Sequence, residues 1–272
     1  MWLDLLVSAL FGILEGVTEW LPISSTGHLI LLSRVVKFPA RDAFFSLFEV
    51  VIQLAAILAV LLYYRERLNP LSAKKTAAER SATWRLWGLV LLATLPAAIL
   101  GLLLGDLLEC YLYRIPVVAA ALILYGVAFL LLERWRTRHP LSAHTPLPGK
   151  RQALWIGCFQ ALALIPGTSR SGSTVIGGLC TGLTREGAAE FSFFLAIPTM
   201  LGAGALKTLN FFLDGNLLTK TELALLAAGS LAAFLTSLLV VRMLLDVVRR
   251  HGFSGFGIYR ILLGIAALLT LI

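Results

Sequence analysis

The sequence predicts an all-α polytopic membrane protein, with about six transmembrane helices and two re-entrant helix–loop–helix hairpins arranged as inverted-topology repeats. Three observations carry this reading. Hydrophobic residues make up 58% of the 272 and charged residues 14%, with a mean hydropathy of +0.87, far more apolar than a soluble domain of this length. Stretches such as FFSLFEVVIQLAAILAVLLYY and LWGLVLLATLPAAILGLLLG have the length, about 20 residues, that crosses a hydrocarbon core of roughly 30 Å as a helix. Two further apolar regions, 1–36 and 153–183, are interrupted midway by PISSTGH and PGTSRSGS. Broken backbone at membrane depth is tolerated only where it is buried in protein or lines a wet cavity, so both regions read as re-entrant hairpins, with a pair of kinked ordinary spans as the alternative.

The six uninterrupted spans are expected at 43–63, 86–104, 115–132, 188–209, 222–245 and 255–272, within a single integral membrane domain, 1–272. The N-terminal stretch MWLDLLVSALFGILE carries Asp4 and no basic run, so it does not read as a cleaved signal peptide. Cys110, Cys158 and Cys180 are scattered and suggest neither disulfide framework nor metal knuckle; they read as small packing residues. The net charge of +8 lies at membrane boundaries, where it reports orientation rather than a nucleic-acid partner. Residues 64–85 hold six basic side chains and 133–152 hold five, with Arg242, Arg249 and Arg250 at a third boundary. Segments 105–114 and 211–221 carry Asp106, Glu109 and Asp214 against only Arg114 and Lys220. The positive-inside rule then puts the basic loops in the cytoplasm and both termini outside.

An internal repeat is expected between about 1–104 and 153–245. GILEGVTEWLPISSTGH at 12–28 runs parallel to GCFQALALIPGTSRSGS at 157–173. Each is followed by a span that opens with a glutamate, so Pro22 is matched with Pro166 and Glu49 with Glu190. Gln160 stands where Glu15 does, which leaves the acidic role to the first half. Inverted repeats with broken helices bring their tips together near mid-membrane, where a site is built.

The two tips carry complementary chemistry. Glu15 and Glu19 are four residues apart and share a helix face; inside an apolar hairpin an ionisable residue is functional by default. Two converging carboxylates suit a hard divalent cation, Mg²⁺ or Ca²⁺; a proton relay or ion pair is the alternative. Ser24, Ser25, Thr26 and His28 follow, a hydroxyl group beside an imidazole, the minimum for an activated nucleophile. SSTGH alone is weak, because such turns also cap and break helices. The other tip offers Arg170 between Ser169 and Ser171, then Gly172 and Ser173. Its planar fork suits phosphate oxygens, and backbone amides at the turn add an anion cradle. Arg170 also suits neutralisation of Glu15 or Glu19. The combined set is what phosphoryl transfer requires, and its place in a membrane implies a substrate with a phosphate head and a lipid tail.

With these residues in view, EGVTEWLPISSTGHL, PGTSRSGS, FEVVIQLAAILAV and AAEFSFFLAIP together resemble the bacterial undecaprenyl pyrophosphate phosphatases, also called bacitracin-resistance proteins, over nearly the whole chain. The resemblance implies a divalent-cation-dependent undecaprenyl-diphosphatase of the bacterial inner membrane, recycling the lipid carrier for peptidoglycan and other envelope polymers, with its site facing the periplasm. It implies Glu15 and Glu19 in the acidic, metal-binding motif, Ser25 as nucleophile, His28 as proton-transfer partner and Arg170 as phosphate binder, with Ser24, Thr26, Ser169, Ser171, Gly172 and Ser173 on the substrate. The expected partners are a polyprenyl diphosphate and the surrounding lipid; a homodimer is compatible with the sequence. The acid-phosphatase class of lipid phosphatases is a poor fit, since His139, His144 and His251 fall in basic loops. A transporter or flippase of an anionic polyprenyl lipid, or a small-anion channel lined by Arg170, shares the charged midplane, but neither needs Ser25 beside His28 with a carboxylate pair. Glu49, Gln53 and Glu190 are expected to cap or bond neighbouring helices, and Arg185 and Glu186 to mark and cap a cytoplasmic boundary.

Overall fold

The computed structural model describes residues 1–139 and 145–269, apart from the side chains of Asp106 and Glu109. His144, the end of the span expected at 255–272 and the outward-facing side chains expected at Asp106 and Glu109 therefore lie outside the described residues. Eleven α-helices are present among those described: α1 (Trp2–Thr18), α2 (Ser25–Val35), α3 (Asp42–Tyr63), the single turn α4 (Arg65–Leu68), α5 (Ala77–Leu112), α6 (Ile115–Arg138), α7 (Lys150–Ala161), α8 (Arg170–Cys180), α9 (Arg185–Leu213), α10 (Lys220–His251) and α11 (Ser254–Leu269). No strand forms among the described residues beyond one isolated bridge between Thr145 and Leu183.

Five helices, α3, α5, α6, α9 and α10, are long and apolar enough to cross a membrane, and each contains one of the expected spans. The sixth expected span is α11, which is 16 residues long in its described part. The outward faces are made of leucine rather than charge: Leu102, Leu131 and Leu239 are 75%, 62% and 65% exposed. Apolar surface of that extent has hydrocarbon as its natural solvent, which makes this a multi-pass membrane protein. By contrast α2, α7 and α8 have 11, 12 and 11 residues, about 17 Å at 1.5 Å per residue, and stop short of a crossing.

The interrupted regions fold as expected into helix–loop–helix units, α1–α2 and α7–α8, packed in matching ways. The first helix of one lies along α10, the first helix of the other along α5, while α6 lies on α11 and α3 on α9. Both first helices achieve their contact through a missing side chain. A Cβ on Gly16 would sit 2.0 Å from Thr236 Oγ1 and 2.5 Å from the Ala233 carbonyl oxygen, and one on Gly157 would sit 2.3 Å from the Ala93 carbonyl oxygen. Helices in lipid associate through such close backbone approach, because hydrocarbon tails compete with any larger apolar side chain. Gly16→Leu is accordingly expected to cost about 3 kcal/mol or more through overpacking, read as a loss of the folded, monodisperse protein on heating in detergent at temperatures the wild type survives.

The second helix of each unit starts in the same unusual way. Ser24 and Ser169 are the two non-glycine residues with positive φ among those described, at 74° and 71°. Each caps its helix with its own hydroxyl oxygen, which accepts the N–H of Gly27 or of Gly172. This equivalence keeps Gln160 opposite Glu15 but moves the proline match by one residue: with Ser24 opposite Ser169, Pro22 falls opposite Gly167 and Leu21 opposite Pro166. Either proline breaks its helix equally well, having no N–H to continue it, so proline position alone is a poor register mark.

Candidate active site

The tips meet. Arg170, at the start of α8, donates from Nη2 to Glu19 Oε1 at 2.7 Å. Its Nη1 donates to the Ser192 carbonyl oxygen at 2.8 Å and lies 3.3 Å from Ser192 Oγ on α9. The other oxygen of Glu19, Oε2, accepts the hydroxyl of Ser25 at 2.6 Å. One carboxylate therefore stands between a guanidinium of the second tip and a hydroxyl of its own tip. The Arg170 and Glu19 side chains are only 11% and 7% exposed, and the guanidinium lies over the buried Trp20 ring, 5.8 Å from its centroid. The Ser171 hydroxyl lies 3.1 Å from the carbonyl oxygens of both Glu19 and Leu21, fastening α8 to the first tip's irregular backbone.

Ser24 and Ser169 hold this arrangement by strain. Positive φ in a non-glycine residue costs on the order of 1–3 kcal/mol and persists only where the surroundings over-determine it. Here the caps do so, and each strained serine immediately precedes a residue that bonds Glu19, Ser25 in one tip and Arg170 in the other. Ser169 and Ser171 hydroxyls lie 3.1 Å apart. Gly172 gives its N–H to Ser169 at 3.1 Å, and the Ser173 hydroxyl donates to Tyr125 at 3.3 Å. Thr26 is half-buried on the first turn of α2.

His28 is placed differently from its expected pairing. Its Nδ1 lies 2.7 Å from the Ser24 carbonyl oxygen, an acceptor only, so that nitrogen carries the hydrogen. Nε2 is then the basic position of the neutral ring, and it accepts the Tyr259 hydroxyl at 2.7 Å, with the rings stacked at 5.6 Å. The site thus holds two hydroxyl–acceptor pairs, Ser25 with Glu19 and Tyr259 with His28, instead of the Ser25–His28 pair suggested by sequence proximity. The physical reason is competition for partners: Glu19 takes the Ser25 hydroxyl, while the Ser24 carbonyl and the Tyr259 hydroxyl occupy the two nitrogens of His28.

Glu15 is fully buried one turn before Glu19, and neither carboxylate oxygen has a hydrogen-bond partner among the described residues. It lies close enough to Glu19 and Glu49 to feel their charge. A buried carboxylate without donors is costly and fits a site that takes up a cation. Among the described residues no three His, Cys, Asp or Glu side chains converge as a complete metal cage.

A family model described as bacitracin resistance protein BacA matches residues 8–266. The chain belongs to the BacA bacitracin resistance family. Among curated relatives it is 48% identical, over 267 residues, to an undecaprenyl-diphosphatase of Streptococcus thermophilus, covering 98% of this chain and 93% of the relative. It is equally 48% identical over 273 residues to an undecaprenyl-diphosphatase of Streptococcus mutans, covering 98% and 96% of the two chains.

In this BacA-family chain, sequence reasoning passed over Trp20, Tyr125, Ser192, Tyr259 and Arg260. Arg260 had a signal, since an arginine inside an apolar span is expensive and needs a reason. Tyr259 had none, because an aromatic in a membrane helix is ordinary. Glu190, expected to bond a neighbouring helix, accepts Arg67 Nη1 at 2.6 Å. Arg185, rather than marking a boundary alone, donates from Nε to Glu133 at 3.0 Å, and Glu186 accepts Arg249 at 2.8 Å. Thr184, not Arg185, caps α9.

Proposed function

We propose that this protein hydrolyses undecaprenyl diphosphate to the monophosphate and inorganic phosphate, in the bacterial inner membrane, with α1–α2 and α7–α8 as re-entrant halves of an inverted repeat and the site open to the periplasm. The observation that carries the reading is Glu19 held between Ser25 and Arg170, which joins a hydroxyl, its proton acceptor and a phosphate-type fork within one buried cluster. The shared name of the relatives supports the substrate.

In the proposed reaction the terminal phosphate displaces the carboxylate of Glu19 from Arg170 and takes the guanidinium fork, with Ser169, Ser171, Gly172 and Ser173 around it and Ser24 and Thr26 on the opposite side. The freed carboxylate accepts the Ser25 proton as Ser25 Oγ forms a bond to the terminal phosphorus. The bridging P–O bond breaks, and polyprenyl monophosphate leaves. Water then attacks the phosphoserine, its proton passing to His28 Nε2 in place of the Tyr259 hydrogen bond, while Glu19 returns its proton to the departing Ser25 Oγ, so that phosphate is released with the Ser25 hydroxyl and the Glu19 carboxylate restored. Glu15 and Glu19 would hold a divalent cation, which when bound supplies charge neutralisation to the diphosphate; two carboxylates with substrate oxygens are a usual magnesium environment. Ordered hydrogen bonds of this kind are worth ~10²–10³ each in rate.

Purified protein given a polyprenyl diphosphate labelled in its terminal phosphate tests the scheme. Rapid quenching should trap label on Ser25, and Ser25→Ala should slow release at least a hundredfold. Full release by Ser25→Ala would assign the attack to water instead.

A further inference from the structure

We infer that Arg260 is a positioning residue that sets the two hairpin tips against each other, so that the spacing between Glu19–Ser25 and Arg170 depends on a guanidinium carried by the C-terminal helix. Arg260 is completely buried. Its Nη1 donates to the Pro22 carbonyl oxygen at 3.1 Å, and its Nη2 donates to those of Gly167 and Thr168 at 2.8 and 3.0 Å. Pro22 lies midway between Glu19 and Ser25 in the first tip; Gly167 and Thr168 immediately precede Ser169 and Arg170 in the second. One side chain thus spans both irregular segments.

The physical need is plain. The tips lack helical hydrogen bonding, so their carbonyl groups require donors from elsewhere in a setting that excludes water. A planar fork with donors on two sides satisfies both segments at once and fixes their separation; an ammonium on a single stem does not reproduce that geometry. Among the described residues no carboxylate forms an ion pair with Arg260, and its face rests on the Tyr125 ring at 5.4 Å. A buried cation held by three carbonyl oxygens and an aromatic face, without an acid, is an expensive way to pack a helix and is explained by the two segments it joins. The neighbouring residue acts on the same site, since Tyr259 holds His28. The helix itself is seated on α6 by close backbone approach: a Cβ on Gly257 would lie 2.8 Å from the Gly126 carbonyl oxygen, and one on Gly264 2.9 Å from that of Ala119.

The test reads tip geometry directly and does not depend on the proposed reaction. Trp20 lies in the first tip beneath Arg170 of the second, so its ¹⁹F resonance in protein labelled with 5-fluorotryptophan, assigned by Trp20→Phe, reports their contact. Arg260→Lys, which keeps the charge and loses the fork, should shift or split that resonance while the resonances of Trp84 and Trp135 stay in place. Gly172→Ala supplies a second variant should Arg260→Lys fail to fold: its added Cβ would lie 3.2 Å from Arg260 Nη1 and should displace the guanidinium with the same spectral signature. An unmoved Trp20 resonance in folded Arg260→Lys would overturn the inference. Phosphate release measured on the same samples tests the proposed function separately: a moved resonance with at least a tenfold fall in kcat fits both readings, whereas a moved resonance with undiminished kcat keeps the positioning role and contradicts the catalytic assignment of the tips.

Discussion

Glu19→Gln and Arg170→Gln are each expected to destabilise the fold and to reduce phosphate release about a thousandfold, whereas the double variant Glu19→Gln/Arg170→Gln regains stability and stays inactive. The expectation follows from burial. The two side chains form a 2.7 Å ion pair at 7% and 11% exposure, and removing one charge strands the other in a medium that cannot solvate it, at a cost of about 3–5 kcal/mol. Removing both leaves no stranded charge, so the stability effects are strongly non-additive. Activity has no such rescue, because the Ser25 hydroxyl loses its carboxylate acceptor and the phosphate loses its fork. Thermal unfolding in detergent and a phosphate-release assay, run on all four proteins, separate the two consequences. Additive destabilisation, or an active double variant, would contradict the arrangement described.

Glu15→Gln carries the second large effect. Its carboxylate is fully buried with neither oxygen bonded among the described residues, beside the charges of Glu19 and Glu49. With chelator present, the variant should be more stable than wild type, since an amide replaces a fully buried carboxyl group that no donor compensates. With Mg²⁺ or Ca²⁺ present the order should reverse, because only the wild type gains free energy from the bound ion. Hydrolysis should fall by about two orders of magnitude or more in the variant, and chelation should abolish it in the wild type. Equal thermal stability of wild type and variant, with and without the cation, would remove Glu15 from cation binding.

Much of this architecture was legible from elementary constraints. A helix that crosses lipid must be long and apolar, so α3, α5, α6, α9 and α10 were marked by their leucine and alanine content alone. The breaks at PISSTGH and PGTSRSGS were marked because a chain in hydrocarbon does not abandon helical hydrogen bonds without compensation. What compensates them was not legible. Arg260 lies 238 residues from Pro22 in the chain and more than 90 from Gly167 and Thr168, and no local pattern links such positions. Nor did proximity in sequence give the pairing of hydroxyls: Ser25 precedes His28 by one helical turn, yet it bonds Glu19, while His28 is taken by Tyr259. The mismatch of the two prolines has a similar origin. Proline and glycine punctuate many backbone paths, and only the strained serine caps reveal which residues are equivalent.

The central claim, that the two tips together form a hydrolytic centre, is most directly tested in proteoliposomes loaded on one side with a polyprenyl diphosphate labelled in its terminal phosphate. One inorganic phosphate and one polyprenyl monophosphate are expected per lipid consumed, with Arg170→Ala forming neither. Translocation of intact diphosphate by the wild type without phosphate release would contradict it.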